Sequence, residues 1–379
     1  MLTRLQKLTK ALGSRYEVER ELGSGATATV FLANDVRYQR RVAVKVFRAE
    51  IAEALGHERF VREIALVATL NHPHIVPLLD SGEVEDMMFY VMPAVEGESL
   101  RDRLSREGRI GIDESVQIAR DVAVALDYAH GRNVVHRDIK PENILLTAGT
   151  AVVADFGIAK MLNPGNAGAS ITTAGMALGT VAYMSPEQAS AGSVDGRTDI
   201  YALGCVLFEM LTGRPPFIGK SAREVVSRHF TEPVPSMHRL CPDVAPNFEQ
   251  AINRALAKSA EDRFATATEF LNALATARRS ASRERMWKQL GGTTPPPKSG
   301  EWRGKEELAA MAGEIPATLH PPKQPTAMTP AARSEPQAPG AVDARPRDVG
   351  ADRGKRDHLL LWAVPIAALL IAAWWYLLR

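Results

Sequence analysis

Between residues 16 and 93 the chain carries five short runs of alternating or β-branched apolar residues: YEVERELG, TVFLAND, RRVAVKVF, VPLLDSG and MFYVM. Each is bounded by Gly, Asn or Asp and reads as a strand. Between the third and fourth runs, AEALGHERFVREIALVATL sets Phe60, Ile64, Val67 and Leu70 at helical spacing and predicts one long helix. Residues 99–275 then read mostly as helices, most clearly over 113–130, 198–212, 247–258 and 266–277. The pattern predicts an α+β fold with a small strand-rich lobe followed by a larger helical one. The first 15 residues have no apolar stretch of signal-peptide length and read as an amphipathic or frayed lead-in. No internal repeat is visible.

From about residue 281 the periodicity stops. Eleven of the 24 prolines fall in residues 291–350, among them TTPPPK, PPKQP and PQAPG. Such a stretch cannot bury enough apolar area to offset its ordering entropy, so 281–356 reads as a largely disordered juxtamembrane linker. RERMWKQL at 283–290 is a candidate extension of the last helix. The run 359–378, LLLWAVPIAALLIAAWWYLL, holds 20 residues without a charge. As a helix it spans roughly 30 Å, the thickness of a bilayer core. Trp362 lies near one end and Trp374, Trp375 and Tyr376 near the other, as aromatic belts do. Arg345, Arg347, Arg353, Lys355 and Arg356 precede the run and only Arg379 follows it. The positive-inside rule therefore predicts a single-pass cell-membrane protein with everything before the run in the cytoplasm.

The totals narrow the classes further. Lys and Arg number 46 and Asp and Glu 44, a net charge of +2, which gives no overall basicity for a nucleic-acid partner. Two cysteines, Cys205 and Cys241, exclude a disulfide scaffold and a four-cysteine zinc site.

Chemistry concentrates in a few motifs. Gly23-Ser24-Gly25-Ala26-Thr27-Ala28-Thr29-Val30 joins two expected strands. Glycines there let backbone N–H groups approach phosphate, although a Gly-rich hairpin is commonly only a hairpin. Lys45 ends VAVK in an apolar strand, where a lone lysine usually faces solvent; a carboxylate on a nearby helix, Glu63, changes that meaning. The strongest signal is HRDIKPEN at 136–143, followed after twelve residues by Asp155-Phe156-Gly157. Asn143 and Asp155 then flank a small hairpin with oxygen donors, which suits Mg²⁺ with phosphates in its shell. His72-Pro73-His74 resembles a metal pair but reads as a turn, and Cys205 on an apolar helix reads as core.

Taken in order, GSGATATV, VAVK, Glu63, HRDIKPEN, DFG, GTVAYMSPEQ, TDIYALG and EDRF resemble the eukaryotic-like serine/threonine protein kinases of bacteria. The resemblance covers about residues 16–275. It implies a two-lobed kinase fold, with an N-lobe over 16–95 and a C-lobe over 96–275. It implies ATP and Mg²⁺ as cofactors, with Mn²⁺ as an alternative, and proteins as substrates. Lys45 is then the phosphate-binding lysine oriented by Glu63; Asp138 accepts or orients the attacking hydroxyl; Lys140 neutralises the transferring phosphoryl; Asn143 and Asp155 hold the metal. Leu22, Val30, Ala43 and Leu145 form the adenine walls, with Gly23 and Gly25 over the phosphates, Met92 at the back, and Pro93 and Val95 offering backbone groups. Pro93 departs from the family's common acidic residue, and Ala28 replaces the third loop glycine. Proline lacks only the N–H, so the carbonyl is retained.

Lys140 marks Ser/Thr rather than Tyr kinases in the family, and Thr180 is similar to its substrate-proximal threonine, although a plain turn residue is the alternative. Arg137 would pair with a phosphate on Thr172 or Thr173, or on Ser170, within a mobile segment over 158–184. Glu187 with Arg263 would brace the helical lobe, and Asp199 would anchor the catalytic loop. Tethering and autophosphorylation imply a homodimer acting in trans. Two other readings compete: a pseudokinase scaffold, which usually lacks Lys45, Asp138 or Asp155, and a small-molecule phosphotransferase, disfavoured by the SPE segment at 185–187.

Overall fold

The computed structural model describes residues 8–10, 12–84, 87–156 and 181–289. The expectations for Gly157, Ser170, Thr172, Thr173, Thr180 and the apolar run 359–378 fall outside them, as does the linker beyond 289.

Strands β1 (Tyr16–Ser24), β2 (Ala28–Asp35), β3 (Arg40–Phe47), β4 (Asp80–Val84) and β5 (Met87–Pro93) form an antiparallel sheet in the order β1-β2-β3-β5-β4. Period-two alternation splits β3 between two faces. Val42, Val44 and Val46 pack with Phe31, Ala33 and Val91 on one face, while Phe47 joins the main core on the other. Leu8 and Leu12 are buried on the first face, so the end of the lead-in is docked rather than frayed. Their i, i+4 spacing puts both on one side of a helical turn.

The expected long helix is two helices, α1 (Ala49–Leu55) and α2 (His57–Ala68). Gly56 separates them at φ +71°, a conformation that glycine adopts without strain. Phe60, Ile64 and Val67 of α2 are buried. The fourth expected strand is also displaced. Val76–Leu78 lie outside the sheet, Pro77 lacks an N–H for any ladder, and the first bond to β5 is Leu79 N–H donating to Val91 O (2.8 Å). Instead Val76 N–H donates to Val153 O (2.9 Å) and Val153 N–H to His74 O (2.9 Å).

The second lobe holds β6 (Glu98–Ser99), α3 (Leu100–Glu107), α4 (Ile112–His130), the hairpin β7 (Ile144–Thr147)–β8 (Thr150–Val153), α5 (Pro186–Ala189) and α6 (Gly196–Thr212). After them come α7 (Ala222–Thr231), α8 (Met237–Leu240), α9 (Pro246–Ala255) and α10 (Ala267–Gln289). Helix α10 runs through residues 281–289, the first part of the expected linker. Helix α6 is buried from Thr198 through Leu211, which explains its nearly unbroken apolar sequence. Asp195 caps its start by accepting from Arg197 N–H, and Gly213 ends it at φ +81°. Among the described residues no helix is long and apolar enough to cross a membrane.

Candidate functional site

The site is built on the second hairpin and the loop before it. Asp199, fully buried in the first turn of α6, accepts from His136 N–H and Arg137 N–H, each at 2.8 Å. This clamp holds Arg137 at φ +65°, a region costly for a residue with a Cβ. His136 faces Ala154 O through Nε2 (3.0 Å), and its ring lies 4.5 Å from that of Phe156. Burial outweighs the neighbouring carboxylates and lowers the His136 pKa, so the ring stays neutral. The loop is thereby fixed before any catalytic side chain is considered.

Asp138, Lys140 and Asn143 converge. Lys140 Nζ lies 2.9 Å from Asp138 Oδ2. Asn143 Nδ2 donates to Asp138 O (2.8 Å) and Oδ2 (3.1 Å), which leaves the amide oxygen of Asn143 as its acceptor. Burial disfavours charge on Lys140, but Asp138 more than offsets it, and the ammonium is held above its usual range. Ala154 N–H donates to Asn143 O (2.9 Å), tying the end of β8 to the loop and bringing Asp155 alongside. Asp155 stands at φ +62°.

Lys45 on β3 meets Asp155, not Glu63. Its Nζ lies 2.8 Å from Asp155 Oδ2, with both side chains mostly buried. Burial raises the Asp155 pKa, yet Lys45 and hydrogen bonds from Lys45 and Tyr90 carry it below the usual carboxylate range. Glu63 is half-buried on α2 and makes no ion pair among the described residues. The expected Lys45–Glu63 pair is therefore absent here. Its physical reason is proximity: Asp155 offers Lys45 a charged partner at hydrogen-bond distance.

Tyr90 is a site residue the sequence reading missed. It donates from its hydroxyl to Asp155 Oδ1 at 2.7 Å. A tyrosine among the buried residues of MFYVM was the available signal, because a buried phenol needs a partner.

Of the residues that the family resemblance assigns to the adenine walls, Leu22 lies on β1, Val30 on β2, Ala43 on β3 and Leu145 on β7. Ala43 and Met92 pair in register across β3 and β5, as do Val42 and Pro93. Ala43 is buried, Val30, Met92, Pro93, Val95 and Leu145 are half-buried, and Leu22 is exposed. Gly23 and Gly25 have neither a left-handed φ nor a crowded Cβ position. A Cβ at Gly23 would meet open space and one at Gly25 would meet Ala28 O at 3.7 Å; the turn is closed by Gly25 N–H donating to Ala28 O (2.8 Å).

Further supports are structural. Arg263 is fully buried and reaches Glu187 with both terminal nitrogens, at 2.7 and 2.8 Å. Arg101 of α3 bridges Glu142 (2.9 Å), Glu209 (2.9 Å) and the Tyr183 hydroxyl beside the loop. The Nε of Arg137 is buried with no hydrogen-bond partner among the described residues. His74 Nδ1 lies 2.8 Å from Ala151 O and the His72 ring 4.9 Å from that of Tyr128, so these histidines serve packing. Burial pushes the Cys205 thiol pKa far up, as befits a core residue.

The donor set suits a shared rather than a caged cation. Among the described residues no group of three or more His, Cys, Asp or Glu is placed to hold a metal. One amide and one carboxylate, Asn143 and Asp155, are what Mg²⁺ commonly takes when phosphates complete its shell.

Comparison with known proteins gives the family. The family model described as "Protein kinase domain" matches residues 16–274. The "Serine/threonine-protein kinase PknB" of Mycolicibacterium smegmatis is 43% identical over 265 residues, covering 68% of this chain and 42% of that protein. The protein of that name from Mycobacterium tuberculosis H37Rv is 42% identical over 265 residues, with the same coverage. A "Probable serine/threonine-protein kinase PknB" from Lactococcus lactis is 37% identical over 273 residues, covering 71% of this chain and 43% of its own length. The chain thus spans less than half the length of these curated relatives. With more than half of its residues matched by one model, the chain belongs to the protein kinase domain family.

Proposed function

We propose that the chain is a serine/threonine protein kinase that moves the γ-phosphoryl group of ATP to Ser or Thr hydroxyls of proteins. The observation that carries this reading is the pair of sets Asp138–Lys140–Asn143 and Lys45–Asp155, each held by contacts of 2.8–3.1 Å, with Ala154 N–H donating to Asn143 O (2.9 Å) between them. The acceptor oxygen forms the new P–O bond, the bond to ADP breaks, and the hydroxyl proton passes to Asp138. Lys140 offsets charge on the group in flight, and Lys45 engages the phosphates that stay with ADP. Such a transfer depends mainly on positioning and charge stabilisation. Asn143 and Asp155 are the residues that would hold Mg²⁺, or Mn²⁺ in its place; when bound, the ion supplies charge neutralisation on the phosphates.

Regulation and place follow from the same reading. The buried, unpartnered Nε of Arg137 suits a phosphate carried by Thr172, Thr173 or Ser170. Thr180 would sit near the acceptor, and Lys140 selects Ser/Thr substrates. The run 359–378 would anchor the chain with the kinase domain on the cytoplasmic side. A flexible linker over the roughly 67 residues from 290 to 356 would have a root-mean-square reach of roughly 40–50 Å, which would raise the effective concentration of a second tethered copy for phosphorylation in trans.

The test is incubation of the full chain with γ-labelled ATP and Mg²⁺. Label on the wild type and none on Asp138→Asn is the expected outcome. No label on either, with nucleotide still bound, leaves a tethered scaffold as the function.

A further inference from the structure

We propose that Tyr90 is a positioning residue for Asp155 and, through it, for Lys45, whose orientation the family resemblance assigns to Glu63. This deepens the kinase reading and rests on it. Lys45 and Tyr90 are register partners on β3 and β5, so both side chains rise from adjacent strands on one face of the sheet. The Lys45 ammonium stands 5.7 Å from the centre of the Tyr90 ring. The two then divide one carboxylate: Tyr90 donates to Oδ1 at 2.7 Å and Lys45 to Oδ2 at 2.8 Å. The result is a set of three groups in which Tyr90 and Lys45 each bond to one oxygen of Asp155. Glu63 is not among them.

Asp155 needs such a hold. It lies outside any strand at φ +62°, a conformation that no ladder enforces, so its carboxylate direction depends on side-chain partners. The Tyr90 ring is itself fixed: it is buried at 5% exposure and lies 5.9 Å from the ring of Phe47. Among the described residues its hydroxyl has one hydrogen-bond partner, Asp155. An ionised carboxylate offers about four lone-pair sites, so one phenol and one ammonium orient Asp155 without using up its capacity for a cation.

Two measurements on the full chain test this. The first compares wild type with Tyr90→Phe, which keeps the ring and removes only the donor; circular dichroism checks the fold. Binding of adenylyl imidodiphosphate is titrated with Mg²⁺ and, separately, without metal. The half-saturating Mg²⁺ concentration should rise about tenfold in Tyr90→Phe, the loss of one hydrogen bond to a charged group, while metal-free nucleotide affinity stays within about twofold. An unchanged Mg²⁺ requirement overturns the proposal. So does an equal loss of metal-free affinity, which would make Tyr90 only a wall of the cleft.

The second measurement needs no nucleotide. Acetylation of Lys45 by acetic anhydride, followed by mass spectrometry, should speed up about threefold in Tyr90→Phe as its partner loosens. It should not change in Glu63→Gln. If Glu63→Gln speeds labelling as much as Tyr90→Phe does, Glu63 is the anchor and the proposal fails. A wild-type chain that binds no nucleotide with or without Mg²⁺ defeats the kinase reading, and the labelling result then decides the Tyr90 assignment alone.

Discussion

Replacing Arg263 by Ala should be the most damaging single change away from the cleft. Its side chain is fully buried and donates five times: twice to Glu187, and to Ala257 O (2.9 Å), Arg197 O (3.1 Å) and Lys258 O (3.1 Å). Its guanidinium also lies 4.7 Å from the centre of the Tyr201 ring. Truncation leaves the Glu187 carboxylate, only 14% exposed, with Thr198 Oγ1 at 2.6 Å as its remaining side-chain donor. Removing one partner of a buried ion pair costs about 3–5 kcal/mol. Three carbonyls lose a donor as well, although the space vacated admits water, so the upper part of that range is expected. Against a total stability of about 5–15 kcal/mol, this is a large fraction. Urea unfolding followed by far-UV circular dichroism is the assay, because all five tryptophans lie beyond residue 280 and would not report on this core.

The companion variant Glu187→Gln adds a pH signature. Burial raises the Glu187 pKa, but Arg263 outweighs it and holds the carboxyl below its ordinary value of 4.5. The pair's stabilisation is therefore complete above pH 4.5 and drains away as pH falls through the lower folded value. Glu187→Gln should remove that acid-side loss. A drop of under about 1 kcal/mol for Arg263→Ala, the range of an exposed pair, would refute the reasoning.

Two further expectations can be checked by similar means. His229 is buried, hydrogen-bonded to the Tyr201 hydroxyl at 2.7 Å, and lowered by burial and by Lys258 to a pKa of about 3. Because the unfolded chain takes up this proton first, stability should fall as pH drops below 6.5, by up to about 2 kcal/mol at pH 5, and His229→Phe should flatten the slope in urea midpoints across that window. At Gly97, φ is +142° and a Cβ would sit 2.0 Å from Leu146 O, so Gly97→Ala should cost at least about 2 kcal/mol, read as a lowered Tm; an unchanged Tm would mean that β6 and β7 separate freely.

Much of the cleft was legible because its chemistry is local. Asp138, Lys140 and Asn143 fall within six consecutive positions, and the hairpin after them is too short to carry Asp155 elsewhere. Strands β1, β2, β3 and β5 followed from alternation alone. Partnerships across long sequence separations were not open to such reasoning. Glu187 and Arg263 are 76 residues apart, and only the family resemblance joined them. The partner of Lys45 was misjudged because strand periodicity gives a direction and never a distance. The break at Gly56 is not visible in the helical spacing of Phe60, Ile64, Val67 and Leu70, because all four follow it and a break is a matter of one φ angle.

The stretch from Asn71 to Val76 has a mechanical consequence. Asn71 N–H is held by the Tyr128 hydroxyl (3.1 Å), and His74 and Val76 are stitched to Val153 on the helical side. Any swing of the sheet relative to the helical side would turn about this seam, with the C-terminal end of α2 held in place. Helix α2 would then act as a lever pivoted near Ala68, and Glu63, about one and a half turns away, would sweep a longer arc than the residues at the pivot.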